Sequence, residues 1–407
     1  MTEKHLPYLL LLMVIAVGCS SDKQSKGGLP YIDSRKEYPE KELILTDIAD
    51  VTYVVLNSDN EEYLYSGSGI RCVTENSIIV YDTSSGSILF FSKDGNPKSR
   101  FNRMGRGPGE YLYPPGTMLY DEITDELFVV VFFPFSDFIY VYSSTGEFKR
   151  KISVPGVSIS RIVSFDEHSL LVFDSNYLMW KRNDSPDPPM PGRNPQPLPF
   201  YSEAKYDSPF FLISKADGAI LDMIKLPEKD FLLRDNEGER SGISTPLIHC
   251  PAGFFLCNPD ADTVFLYNKD KSLTPVFYKT PPGSDSYPKV ILNNCVDMGR
   301  YQFMELFTLK QEEGKLYRSY PVKYYYRDKN SGEIFQQKIV LPDYKGKDFN
   351  IRLYRYGNNF ANGVHFILDV LELKQAYRAN KLSGKLKELV ATLRDDDNDV
   401  IMMVEFK

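Results

Sequence analysis

Phe90-Phe91-Ser92-Lys93-Asp94-Gly95 decides the fold, because its pattern keeps returning. An aromatic or aliphatic strand runs into a polar turn and then into another strand. The same phrase recurs at Val141-Tyr142-Ser143-Ser144-Thr145-Gly146 and Leu212-Ile213-Ser214-Lys215-Ala216-Asp217-Gly218. It returns at Leu266-Tyr267-Asn268-Lys269-Asp270-Lys271 and Tyr325-Tyr326-Arg327-Asp328-Lys329-Asn330-Ser331-Gly332. Asp-Gly and Asn/Ser-Gly supply the positive φ that tight hairpins need. With the insertion in the third repeat set aside, the period is about 50 residues, the length of a four-stranded propeller blade. One hairpin cannot bury both of its faces; radial stacking of blades can.

Around these turns lie short strand-like runs bounded by Gly, Pro, Asn, Asp or Ser, among them Ile78–Val80, Phe138–Tyr142, Leu170–Phe173, Phe254–Leu256 and Val400–Val404. Leu127–Phe133 (LFVVVFF) is apolar on both faces and reads as an inner strand covered on each side. The units cover roughly 67–110, 111–156, 157–227, 244–283, 291–343 and 350–407, so the expectation is an all-β, six-bladed β-propeller occupying 41–407. The last unit differs: 370–394 reads as a helical insertion. There Leu386, Leu389, Val390 and Leu393 form an i, i+3, i+4, i+7 stripe behind Ser383 as N-cap. It also falls one strand short of a blade. The strand-like stretch 41–57 precedes the first unit and is the expected ring-closing strand, which would remove exposed edges.

The chain begins with an address. Leu9–Val17 (LLLLMVIAV) is too short to cross a hydrocarbon core of about 30 Å but has the length and place of a secretory h-region. Ala16-Val17-Gly18-Cys19 resembles a bacterial lipobox, with Ala16 where Leu is usual. That implies a lipoprotein signal peptide at 1–18, cleavage before Cys19 and acylation of its thiol. Residues 19–40 are polar and aperiodic and read as a flexible tether. The Pro-rich loop insertion at 181–207 reads either as a lid over one mouth of the ring or as solvated decoration.

Arg103-Met104-Gly105-Arg106-Gly107-Pro108-Gly109-Glu110-Tyr111 resembles the G-R-G-P-G-E-Y signature of a Bacteroidota lipoprotein family described as six-bladed β-propellers, related in architecture to NHL and TolB-type propellers. Leu382–Leu389 and Asp397–Ile401 are similar to that family's ending, with Asn398-Asp399-Val400 where it has Asn-Pro-Val. The resemblance implies export, lipidation and a propeller. It implies no established activity.

The chemistry candidates mostly read as structure. Gly105-x-Gly107-x-Gly109 is followed by Tyr111-Leu112-Tyr113-Pro114-Pro115, which cannot open the helix a phosphate loop needs, so it reads as an inter-blade turn. Arg100, Arg103 and Arg106 around it could meet an anion or could be ion-paired. Asp395, Asp397 and Asp399 alternate as in a calcium loop, but Val400 and Phe406 stand where such a loop needs Gly and Glu. Asp260-Ala261-Asp262 reads as a hairpin turn. Cys72, Cys250, Cys257 and Cys295 contain no C-x-x-C; Cys250 and Cys257 could pair or stay as buried thiols. Four His without ligand spacing and no G-x-S-x-G elbow leave no metal, cofactor or catalytic residue to assign. Glu61-Glu62, Asp121-Glu122 and Glu312-Glu313 cannot be placed at a glycosidase separation from sequence.

With 48 basic and 55 acidic residues, a net charge of -7 argues against a nucleic-acid partner. Two function classes follow. The first is a monomeric binding protein at the outer membrane or cell envelope, held by lipid on Cys19, with a glycan, peptide or envelope protein as partner. The second is a secreted propeller enzyme, a polysaccharide lyase or glycoside hydrolase, with carboxylates at the channel mouth.

Overall fold

The computed structural model describes residues 28–66, 69–131, 137–175, 206, 208–227, 247–257, 262–281, 289–309, 321–351 and 363–407. The signal peptide, Cys19 and all of the 181–207 insertion except Tyr206 lie outside them. The described strands form six sheets, five with four or more strands.

Sheet one holds Ile70–Val73, Ser77–Tyr81, Ser87–Ser92 and Pro97–Asn102. Sheet two holds Pro115–Asp121, Glu126–Val131, Phe138–Tyr142 and Phe148–Ser153. Sheet three holds Ile159–Ser164, Ser169–Asp174, Phe210–Ser214 and Ile220–Ile224. Sheet four holds Leu247–Cys250, Gly253–Cys257, Thr263–Asn268 and Leu273–Thr280. Sheet five holds Lys289–Met298, Tyr301–Leu309, Val322–Asp328 and Ile334–Val340. Each of these is an antiparallel meander in chain order. Sheet six joins Gly363–Leu368 and Val400–Phe406 to Ala49–Val55.

The turns explain the repeat. Gly95, Gly146, Gly218, Lys271 and Gly332 all have positive φ, between 67° and 91°, so the five recurring phrases make the same left-handed step between third and fourth strands. Four of the five use glycine there, which adopts this conformation without strain.

Alternation along the strands builds the ring. Ile88 and Phe90 face a core shared with sheet two, while Leu89 and Phe91 face one shared with sheet six. Leu127, Val129 and Val131 turn to sheet one, while Phe128 and Val130 turn to sheet three. Leu171 and Phe173 pack with Phe254 and Leu256 of sheet four, and one large core joins sheets four, five and six. The cores therefore link each sheet to the next and the last to the first: a β-propeller. Every fully buried aliphatic side chain in these seams contributes roughly 1.5–3 kcal/mol of transfer free energy.

The N-terminal stretch departs from expectation. Residues 41–57 are not one strand. Glu40–Ile44 pairs in parallel with Ile334–Val340 on the outside of sheet five. Helix α1 (Leu45–Ile48) turns the chain, and Ala49–Val55 then pairs antiparallel with Val400–Phe406. The stretch expected as tether, 19–40, is strand at Tyr31–Asp33, parallel to Tyr278–Thr280, and its Ile32 is fully buried. Parallel edge pairing carries no hairpin signal, and three residues are too few to show periodicity.

The helical insertion is two helices, α2 (Val370–Arg378) and α3 (Gly384–Thr392). Leu386, Val390 and Leu393 of the stripe are buried. Ser383 holds the N-cap position of α3, but its hydroxyl donates to the Pro342 carbonyl at 3.0 Å instead of capping. Carboxylates cap α2: Asp369 accepts from the Glu372 N–H at 2.7 Å and Asp399 from the Val370 N–H at 3.1 Å.

Candidate functional site

The turns joining first to second strands and third to fourth strands share one face, as Lys93 N–H to Asn76 O at 3.0 Å and Lys215 N–H to His168 O at 2.9 Å show. There the side chains clip neighbouring sheets together. Glu122 of sheet two accepts from the Thr74 hydroxyl and from Asn76 of sheet one. Lys215 of sheet three reaches Asp121 of sheet two at 2.7 Å, with both side chains largely buried. Arg150 joins Glu126 to the Lys215 carbonyl.

The opposite face is where the first strands begin. These strands are innermost: those of sheets one and three each pack against that of sheet two. Four of them carry a bulge, at Arg71, Gly116, Ser160 and Asn293, where one residue has no partner across the ladder. Bulges concentrate near binding and active sites because they re-aim side chains. Two carboxylates fix this rim. Asp82 accepts from the Ser66 and Ser84 N–H groups; burial alone would raise its pKa, but the hydrogen bonds from Ser85, Ser84 and Ser66 outweigh it and hold the carboxyl down to about 2. Asp174, at the matching end of sheet three, accepts from the Ser158 N–H at 2.7 Å.

Three polar side chains on the inner strands stand out. Arg71 is half-buried; its Nε has none, and its guanidinium lies 5.6 Å from the Tyr81 ring centroid. Arg161, on the inner strand of sheet three, makes no hydrogen bond or ion pair among the described residues. Burial lowers the pKa of both guanidinium groups, and Arg71's positive charge lowers Arg161's further. Asn293 donates to the fully buried Glu305 at 3.2 Å, while its own buried Oδ1 accepts nothing. Arg71 and Arg161 escaped the reading of the sequence. The available signal was a single cation inside an apolar strand, in Ile70-Arg71-Cys72-Val73 and Ile159-Ser160-Arg161-Ile162-Val163.

The residues singled out from sequence go elsewhere. Cys19 lies outside the described residues, as do Asp260, Ala261, Glu312 and Glu313. Gly105–Tyr111 is a turn between sheets one and two: the Gly107 N–H donates to Glu110 at 2.7 Å and Tyr142 donates to the Gly109 carbonyl at 2.8 Å. Arg103 donates to the Gly146 carbonyl at 2.8 Å, so it locks that turn to the next sheet's hairpin, and Tyr111 is buried in the seam. Asp397 binds Arg394 and Ser58, and Asp399 caps α2. No cluster able to hold a metal ion occurs among the described residues. Cys72, Cys250, Cys257 and Cys295 are buried and not joined in disulfides. Burial pushes Cys250 up to about 11 and Cys257 up to about 12.

Residues 20–185 match the profile of a family described as "6-bladed beta-propeller", a span that includes the Gly105–Tyr111 turn. The chain resembles that family. A candidate exported protein of Bacteroides fragilis superposes with a TM-score of 0.58 at 16% identity, covering 91% of this chain and 98% of its own. A member of the DUF4221 family from Bacteroides vulgatus gives 0.47 at 10% identity, covering 88% and 97%. At 16% identity the likeness to the first is one of fold. No curated protein matches the chain.

Proposed function

We propose that this chain is an exported lipoprotein, acylated at Cys19, whose ring is a six-bladed propeller serving as a binding module at the cell envelope. Sheet six, closed by Ala49–Val55, is read as the sixth blade. The ligand, a glycan, a peptide or an envelope protein, meets the face where the inner strands begin. One observation carries this reading: on the bulged inner strands, Arg71 Nε and Asn293 Oδ1 are buried without a hydrogen-bond partner. Unsatisfied buried polar groups are costly and uncommon unless something uses them.

Two measurements test it. Palmitate labelling in a bacterial host should mark the wild type and not Cys19→Ala. The purified mature chain, screened against glycan and peptide arrays, should bind a restricted set, and binding should fall in Asn293→Leu. A wild type that binds nothing on either array overturns the binding reading. Glu305, fully buried beside Asn293, favours a second reading, a secreted carbohydrate-cleaving enzyme. Release of sugars from the same panel, abolished in Glu305→Gln, would select it.

A further inference from the structure

Arg71 and Arg161 come from sheets that are not neighbours, with the inner strand of sheet two between them. That intervening strand has Gly116 as its bulged residue, so it offers no side chain at the bulge. The strands that carry the two arginines thus flank the strand that carries Gly116, and the positive charge of Arg71 is felt at Arg161. Neither has a carboxylate partner among the described residues. Other arginines are engaged: Arg150 is bidentate to Glu126, and Arg103 donates to the Gly146 carbonyl. Two like charges, each half-buried, repel one another and lose hydration. A fold would shed such a pair unless something of opposite charge sat between them. Guanidinium groups present paired N–H donors that match the two oxygens of an oxyanion.

We propose that Arg71 and Arg161 form an anion site in the central opening of the ring, and that the ligand presents an oxyanion group (carboxylate, sulfate or phosphate) to both guanidiniums. This rests on the binding reading above and narrows it: among glycans and peptides, acidic ones are selected.

The test uses the mature chain with polygalacturonate, chondroitin sulfate and polyphosphate as anionic probes and dextran as the neutral control. Isothermal titration should show one anionic probe bound and dextran not. Affinity should fall roughly ten-fold in Arg71→Gln and again in Arg161→Gln, and tightening at low salt should be weaker in both variants. The three anionic arms distinguish carboxylate, sulfate and phosphate as the source of the oxyanion. A second readout needs no ligand. If the pair is uncompensated, Arg161→Gln alone raises Tm in low-salt buffer; an arginine with a structural partner would lower it. Dextran bound with no anionic probe overturns the anion site while leaving the binding reading in place. Anionic binding unchanged in both variants overturns it too. A lowered Tm in Arg161→Gln together with no anionic binding does the same.

Discussion

Lys215→Met tests whether the hairpin face holds the ring together. The ammonium lies 2.7 Å from Asp121 and 3.0 Å from the Ser164 hydroxyl, with side chains 8% and 11% exposed for Lys215 and Asp121. Burial pushes the Asp121 pKa up, but the hydrogen bond and charge of Lys215, with the Ile123 and Thr124 N–H groups, bring it below the usual aspartate value. Methionine keeps the length of the side chain and removes the charge, leaving a carboxylate in a site it cannot readily leave. Breaking one partner of a buried pair costs about 3–5 kcal/mol. With an unfolding entropy of roughly 2 cal/mol/K per residue, a ring of this size converts that to a fall in Tm of roughly 4–7 °C. Asp121→Asn added to Lys215→Met should recover most of it, because no charge is then stranded. The pH dependence has a sign. In the wild type, Asp121 contributes stability above the unfolded aspartate pKa, and this is lost as pH falls through its lower folded value. In Lys215→Met the folded pKa lies above the unfolded one, so the penalty is largest near pH 7 and shrinks as the solution is acidified toward pH 4. Differential scanning calorimetry of the single variants and the double variant at pH 7 and pH 5 measures all of this. Single-variant effects that simply add, with no pH dependence, would show that the pair is solvated and that the clip is not structural.

Three other outcomes follow from named groups. Burial lowers His365 to about 4, with Lys93's charge as the second cause, and burial also lowers His249 to about 4, with Lys269's charge second; their contribution to stability is whole above about pH 6.5 and falls as pH drops toward 4, by up to about 3 kcal/mol each. Tm measured across that window should decline less steeply in His365→Leu, and an unchanged slope counts against the buried neutral histidine. Leu56→Ala removes a fully buried side chain from the seam between sheets six and one and should cost about 2–5 kcal/mol in urea unfolding; a loss under 1 kcal/mol would mean that this seam does not close the ring. Gly95→Ala should be worse than Gly346→Ala, although both glycines have positive φ: an added Cβ at Gly95 would lie 2.0 Å from the Val55 carbonyl oxygen, whereas Gly346 has nothing within 4 Å. Equal Tm values for the two variants would remove the contact between sheet one's hairpin and the closing strand.

Much of the ring was legible because its units are local. A left-handed step after a short apolar strand is written in consecutive residues, and Gly95, Gly146, Gly218 and Gly332 sit where the hairpin geometry requires them. Lys271 shows the limit of the cue: the fourth turn has the same φ without glycine, so its place in the series came from the flanking strands. Alternation within strands was equally visible, since residues such as Leu89 and Phe90 need only point opposite ways to serve two seams. The outer parallel strands were not visible. Tyr31–Asp33 pairs with residues some 250 positions away, and nothing local distinguishes three edge residues from a tether.

The candidate site was hidden for a related reason. A bulge is a mismatch between two strands and exists only in their pairing, so neither Ile70–Val73 nor Ile159–Ser164 announces one. The visible arginines, Arg100, Arg103 and Arg106, cluster in sequence beside a memorable glycine motif, and Arg103 at least is committed to holding two sheets together. Arg71 and Arg161 stand 90 positions apart, and only the packing of the inner strands of sheets one and three on that of sheet two relates them. The division follows from the geometry of a propeller. Its hairpin face is built from turns that fold locally and clip to a neighbour, so specificity there would disturb stability. Its other face collects one inner strand end from each blade, and residues placed there can change without altering any turn. On the proposed binding reading, recognition belongs on the face whose partners are distant in sequence, the face to which the strands of Arg71 and Arg161 contribute.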